Sequence, residues 1–83
     1  MYNLGKLEDA IATFDKAIKL DKDVPNNFYF RALVKQKINK LEEAIEDYNK
    51  SIEKGLNESN LKYNAHFNKG VCLRKIGKID DAI

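Results

Sequence analysis

The segment Leu41–Lys54, LEEAIEDYNKSIEK, has a counterpart at Leu7–Leu20, LEDAIATFDKAIKL, and the beginning of another at Ile79–Ile83, IDDAI. Superposed without a gap, the first two are identical at Leu7/Leu41, Glu8/Glu42, Ala10/Ala44, Ile11/Ile45, Lys16/Lys50 and Ile18/Ile52. Phe14/Tyr48 and Ala17/Ser51 change conservatively. The offset is 34 residues, a period at which arrays of paired helices repeat. A single helix pair cannot bury its apolar face alone, so pairs stack and stability becomes a sum of unit and neighbour terms. A compact globule of 83 residues would be marginal on a central core, whereas a stack does not need one.

The chain reads as helices separated by short breaks. Leu7, Ala10, Ile11, Phe14, Ala17 and Ile18 recur at i, i+3, i+4, i+7, i+10 and i+11, which predicts an amphipathic helix from Leu7 to about Asp21. Glu8 and Asp9 lie in its first turn, where carboxylates favour the positive helix end. Ahead of it, Met1–Leu4 followed by Gly5 reads as the last turn of another helix closed by glycine. Pro25 ends the break after Asp21 and suits the first turn of a second helix, about Pro25–Ile38. Phe28 and Ala32 with Leu33, Val34 and Ile38 give that helix two usable faces. Asn39, in the register of Gly5 and Gly77, accepts the left-handed turn nearly as well as glycine. A third helix covers Leu41–Lys54 and ends at Gly55.

The next unit is longer. Gly77 follows Asn39, and Ile79 follows Leu41, by 38 residues, four more than the first offset and close to one helical turn of 3.6 residues. With Asn57 or Ser59 available as a cap, the extra residues are expected to lengthen a fourth helix at its N-terminal end, about Glu58–Ile76. The alternative is a longer loop. Ile79 then opens a fifth helix.

Charge and composition remove several classes of function. The net charge of +2 arises from 15 basic and 13 acidic residues scattered along the chain, which gives no strong field for nucleic acid or an anionic membrane. No apolar run approaches the roughly 20 residues that span a bilayer. The single cysteine, Cys72, has no internal partner and reads as a small buried hydrophobe, which points to a reducing, cytoplasmic setting. Two Asn-x-Ser sequons, at Asn49 and Asn57, lack a preceding signal peptide, and the first falls in a helix. The lone His66 is expected to pack in or near the core. Glu42, Glu43, Glu46 and Asp47 read as a solvated face. Gly70 and Gly77-Lys78 are separated by six residues where a phosphate loop needs four, and Ile79 replaces its Ser/Thr. No catalytic residue, metal site or cofactor is expected.

Several of these residues together resemble the tetratricopeptide repeat, a 34-residue helix–turn–helix unit, over essentially the whole chain. In that family a small residue on the first helix lets the second pack closely, where Ala32 and Gly70 fall. A large aromatic opens the first helix, where Phe28 and His66 fall. The turn carries glycine, matched by Gly5, Asn39 and Gly77. The second helix carries alanine, an aromatic and alanine, matched by Ala10, Phe14, Ala17 and by Ala44, Tyr48, Ser51. The resemblance implies an all-α fold of antiparallel helix–turn–helix repeats stacked as a right-handed α-solenoid. It divides the chain into the end of one repeat (1–24), a full repeat (25–58) and a partial repeat with a four-residue insertion (59–83). Lys35 departs from the pattern, standing where the family often has tyrosine. So do apolar Leu73 and the missing proline at Lys22.

The resemblance also implies a protein–protein interaction module, an adaptor or scaffold that binds an extended peptide or a helix in a concave groove. The groove-facing positions it implies are Asn26, Tyr29, Leu33, Gln36 and Lys37 on the second helix, and Asn64, Phe67, Asn68, Val71, Arg74 and Lys75 on the fourth. Tyr29 and Phe67 would supply rigid aromatic area, and Lys37, Arg74 and Lys75 the charge for an acidic segment. The carboxylate-clamp class within the family is not supported. Tyr29 and Leu33 occupy its lysine and asparagine places and Phe30 its middle asparagine place, and only Asn68 has a matching type. Against the groove reading, aromatics on repeat helices often only pack neighbours, and basic residues near a helix C-terminus complement its dipole. The alternative is a structural spacer or self-associating segment, a homo-oligomer through exposed repeat ends, with part of the Ala10/Phe14 face uncovered.

Overall fold

The computed structural model of the chain describes residues 4–81. These form four helices: α1 (Leu4–Leu20), α2 (Pro25–Lys37), α3 (Leu41–Glu53) and α4 (Ser59–Asp81), with no strand among the described residues. Consecutive helices pack antiparallel, most closely between α2 and α3. α1 joins the stack through α2, and α2 also meets α4 beside α3. This is the expected all-α array of helix–turn–helix repeats.

The turns follow from local chemistry. Val24 is extended (φ −98°, ψ 100°) ahead of Pro25 at the start of α2, as the residue before proline must be. At the end of α2, Asn39 has φ 68°, and the Lys40 and Asn39 N–H groups donate to the Lys35 and Gln36 carbonyls at 2.8 and 3.1 Å. The end of α3 repeats the pattern with Gly55 at φ 94°, the Leu56 N–H donating to Ser51 O at 2.9 Å and the Gly55 N–H to Ile52 O at 3.1 Å. Both are Schellman closures, which satisfy the orphan carbonyls and reverse the chain. Leu56, just past the second closure, is buried and clamps the α3–α4 turn to the core.

Tyr48 is the centre of that core. It is fully buried on α3 among Tyr29 and Ala32 of α2 and Ala65 and Cys72 of α4. The Tyr29 ring meets it edge-on at 6.1 Å. On α4, Leu61, Ala65, Cys72 and Ile76 recur at i, i+4, i+11 and i+15 as the stripe against this cluster. The small Ala44, Ala65 and Cys72 let the backbones approach, so close packing rather than bulk fills the interior. Burial pushes the Cys72 thiol above its ordinary value, consistent with a packing role.

Several expectations are corrected by the structure, and one is borne out. Gly5 and Gly77 do not turn the chain: α1 runs through Gly5, and α4 runs through Gly77 and the start of the expected fifth helix. Glycine permits a turn without imposing one, and the turn at Asn39 is held by the α2–α3 packing it connects. The four extra residues do lengthen α4 at its N-terminal end, beginning at Ser59 rather than Glu58. His66 is exposed rather than packed, and Gly70 is equally exposed, since both lie on the side of α4 that no described helix covers. Asp47 is not part of a solvated face. It is 2 % exposed because it shares the inward side of α3 with Ala44, Tyr48 and Ser51. The final residues of the Ile79–Ile83 motif, Ala82 and Ile83, lie outside the described residues.

Asp47 anchors an ion cluster that ties three helices. Arg31 donates to both its carboxylate oxygens, Nε to Oδ2 at 2.8 Å and Nη2 to Oδ1 at 2.7 Å, and through Nη1 reaches Asp15 on α1 at 2.7 Å. Lys35 lies 3.1 Å from Asp47 and 3.5 Å from Glu43. Lys35, anomalous as a family residue, is therefore one of the two cations that neutralise the buried carboxylate. The hydrogen bonds that Arg31 donates to Asp47 outweigh burial and hold it more firmly protonated than usual.

In urea denaturation, Asp47→Ala should cost about 2–3 kcal/mol, since Arg31 and Lys35 keep only their outer partners Asp15 and Glu43. Asp15→Ala, at the exposed end of the cluster, should cost less than about 1 kcal/mol. Gly55→Ala should destabilise by roughly 1–2 kcal/mol, since alanine resists a left-handed backbone. Gly70→Ala should instead stabilise by about 0.5–1 kcal/mol, because a methyl group there meets nothing within 4 Å; a loss at Gly70 would contradict the open face.

Candidate functional site

Between α2 and α4, over the edge of α3, lies a cleft of about 390 Å³ lined by Leu33, Gln36, Lys37, Asn68 and Lys75. Every one of these residues was expected at a groove from the sequence. Helical spacing explains how they meet. Leu33, Gln36 and Lys37 stand at i, i+3 and i+4 on the side of α2 facing α4. Asn68 and Lys75 belong to a stripe, Asn64, Asn68, Val71, Lys75, at i, i+4, i+7 and i+11 beside the core stripe of α4.

The base of the cleft is held by Tyr48. Its hydroxyl donates to Gln36 Oε1 at 2.6 Å. Burial raises the hydroxyl's pKa well above the ordinary tyrosine value, with Cys72 and Tyr29 adding to the effect, while a hydrogen bond from Asn68 opposes it. The buried hydroxyl on α3 is thus bonded to the Gln36 amide of the α2 wall. A hydroxyl in the core needs such partners, because burying it unpaired costs about 1–3 kcal/mol. Leu33 supplies apolar surface, and Lys37 and Lys75 place positive charge on both walls.

The other groove positions fall elsewhere. Tyr29 is 3 % exposed and packs edge-on against Phe30 and Tyr48, so Tyr29→Ala would report on folding rather than on a ligand. Asn26 and Val71 are half-buried, and Asn64 is exposed. None of the three lines the cleft. Phe67 is 60 % exposed, stacked on Tyr63 at 6.3 Å, and with exposed Arg74 lies farther round α4, on the side away from the cleft.

A second cleft, of about 490 Å³, was not anticipated. It lies where α1 and α3 splay apart over Phe28 and Arg31 of α2, with Asp15, Lys19 and Lys22 on one side and Lys50, Glu53 and Lys54 on the other. Several of its charges are engaged internally: Arg31 by Asp15 and Asp47, Lys54 by Asp23 at 3.2 Å, and Lys50 over the Phe28 ring at 5.8 Å. No sequence motif marked it, because its residues come from three helices and repeat in none. The signal available for Asp47 was plainer. It sits between Ala44 and Ser51 on the inward side of α3, and Asp15, Arg31 and Asp47 are each 16 residues apart.

Among the described residues no group of histidine, cysteine and carboxylate side chains could hold a metal ion. No helix there is long and apolar enough to cross a membrane.

Comparison with known proteins agrees with this architecture. The family model for the tetratricopeptide repeat matches residues 2–24 and 25–53, the second span running from the start of α2 to the end of α3. Searches of curated proteins and of solved structures return no match. The chain belongs to the tetratricopeptide repeat family.

Proposed function

We propose that the chain is a peptide-binding adaptor module whose ligand, an acidic segment of a partner protein, lies in the groove between α2 and α4. Repeats of the family generally mediate protein–protein interactions and typically act as non-catalytic scaffolds. The observation that carries the finer reading is the cleft itself. It combines an apolar patch at Leu33, two amides at Gln36 and Asn68, and a lysine on each wall, Lys37 and Lys75. Apolar surface with a few placed polar groups is the usual makeup of a ligand site, and two lysines favour carboxylates. In this reading residues 25–58 form one full unit, with 1–24 and 59–83 as parts of its neighbours. The buried Cys72 thiol favours a reducing, cytoplasmic setting.

Exposed apolar surface supports a second reading, self-association. Tyr63 and Phe67 of α4 are 69 and 60 % exposed and stack on each other, and exposed aromatic area of this kind often marks an interaction surface.

Fluorescence anisotropy with a labelled peptide of alternating Glu and Leu, against its Lys/Leu counterpart, tests the adaptor reading. The acidic peptide should bind and the basic one should not, with affinity falling as salt is raised. Lys37→Glu combined with Lys75→Glu should weaken binding by about tenfold or more, measured at a temperature where the thermal melt shows the variant folded. Equal binding of both peptides would sink the assignment. For self-association, sedimentation at high micromolar concentration should show dimers that Tyr63→Ser with Phe67→Ser abolishes; a monomer throughout would exclude it.

A further inference from the structure

We infer that the chain associates with its own copies head to tail, the uncovered face of α4 receiving α1 of a second copy in the way that α2 receives α3 within one chain. The inference rests on the reading that the chain self-associates and specifies which two surfaces meet.

Internal repetition makes the two faces a matched pair. α1 carries the motif of α3 at an offset of 34 residues, and α4 stands to α2 at an offset of 38. In the α2–α3 pair, α3 buries Ala44, Asp47 and Tyr48, with Tyr29 and Ala32 of α2 in the same core. The corresponding stripe of α1 is Ala10, Thr13 and Phe14, and among the described helices α1 packs on α2 alone. Thr13 is therefore exposed and Phe14 half-buried, stacked on Phe30 at 6.2 Å. Tyr48, with a helix on either side, is fully buried. On α4 the places of Tyr29 and Ala32 are taken by Phe67 and Gly70. Phe67 is exposed, and a methyl group added at Gly70 meets nothing within 4 Å. α4 runs unbroken to Asp81, so the described residues after Gly77 do not turn back over this face. Each surface lacks the cover that the other provides.

The chemistry of the two faces has changed in step. Within the α2–α3 pair, Lys35 lies 3.1 Å from Asp47, and the Tyr48 hydroxyl donates to Gln36 at 2.6 Å. The corresponding pairs between α4 and α1 of a second copy are Leu73 with Thr13 and Arg74 with Phe14. The buried charge is gone from both sides together; an acid at one place without the lysine at the other would be buried unpaired. Phe67 with Phe14 stands for the edge-on pair of Tyr29 and Tyr48, and neither ring brings a hydroxyl that needs a partner. Arg74, in the place of Gln36, matches the Phe14 ring as a cation matches an aromatic face. A contact between two different faces leaves one α1 face and one α4 face free at the ends, so association passes beyond a pair.

The test is sedimentation of the intact chain and of two variants at exposed positions. Thr13→Asp sets an acid opposite Leu73, and Leu73→Lys sets a cation opposite Thr13. The Thr13 hydroxyl bonds only within its own helix, to Asp9 O at 3.0 Å, and Leu73 is half exposed, so both variants keep the core; a thermal melt checks this. The unaltered chain should form dimers at high micromolar concentration and longer species as concentration rises. Each variant alone should associate about tenfold or more weakly, since it buries an unpaired charge. An equimolar mixture should recover the association of the unaltered chain. The intact α4 of the Thr13→Asp chain meets the intact α1 of the Leu73→Lys chain, and at the alternate contact the introduced acid and lysine pair as Asp47 and Lys35 do. Full association of Thr13→Asp alone, or a mixture no stronger than its components, would overturn the head-to-tail contact while leaving self-association standing. An unaltered chain that stays monomeric throughout would overturn both.

Discussion

The buried carboxylate of Asp47 is the constraint on which the arrangement of helices depends. A charge taken out of water must be matched by opposite charge and hydrogen bonds held close to it. Asp47 takes both oxygens' worth from the Arg31 fork and adds Lys35 at 3.1 Å. Both cations lie on α2, four residues apart and hence on one face, so α3 can seat its acid only in one rotational setting against α2. Arg31 then uses its remaining nitrogen for Asp15, which brings α1 to the same point. Apolar contacts between helices tolerate sliding; a bidentate pair does not.

With α2 and α3 fixed in this way, Tyr48 is carried to the opposite side of the α3 inner face, where α4 packs. The tyrosine in the repeat motif therefore serves two ends. Its ring fills the space between Tyr29 and Cys72, and its buried hydroxyl bonds Gln36, a residue that lines the cleft between α2 and α4. A phenylalanine at the corresponding position of α1, Phe14, has no such hydroxyl and instead stacks on Phe30 at 6.2 Å. The difference of one oxygen between two copies of the motif separates a packing position from one that also organises a polar surface. The α1–α3 cleft is larger, and several of its charges answer one another.

Much of this was readable before any coordinates. The 34-residue offset identified helix pairs, the turn residues Asn39 and Gly55 identified the reversals, and the positions lining the cleft came from one helical face of α2 and one of α4. Other readings failed for a shared reason. Gly5 and Gly77 were read as turns because glycine accepts the left-handed backbone, yet α1 and α4 run through them, since glycine permits a turn without imposing one. Asp47 was read as solvated because acidic neighbours surround it in sequence, although its neighbours on the helix face are Ala44 and Ser51. Tyr29 was placed in the groove by its position in the unit, and packing against Tyr48 drew it into the core.

The sequence by itself determined the elements and their pairing, because helix periodicity, the proline before α2 and the left-handed turn residues act over a few residues and are written in the chain. Only the tertiary structure decided which polar groups are buried and which of them meet. The Asp15–Arg31–Asp47 cluster joins three helices and the Tyr48–Gln36 hydrogen bond joins two, and their geometry depends on rotations and separations that packing sets. Burial of a charge or a hydroxyl is a property of what lies across from it, and no local pattern records that.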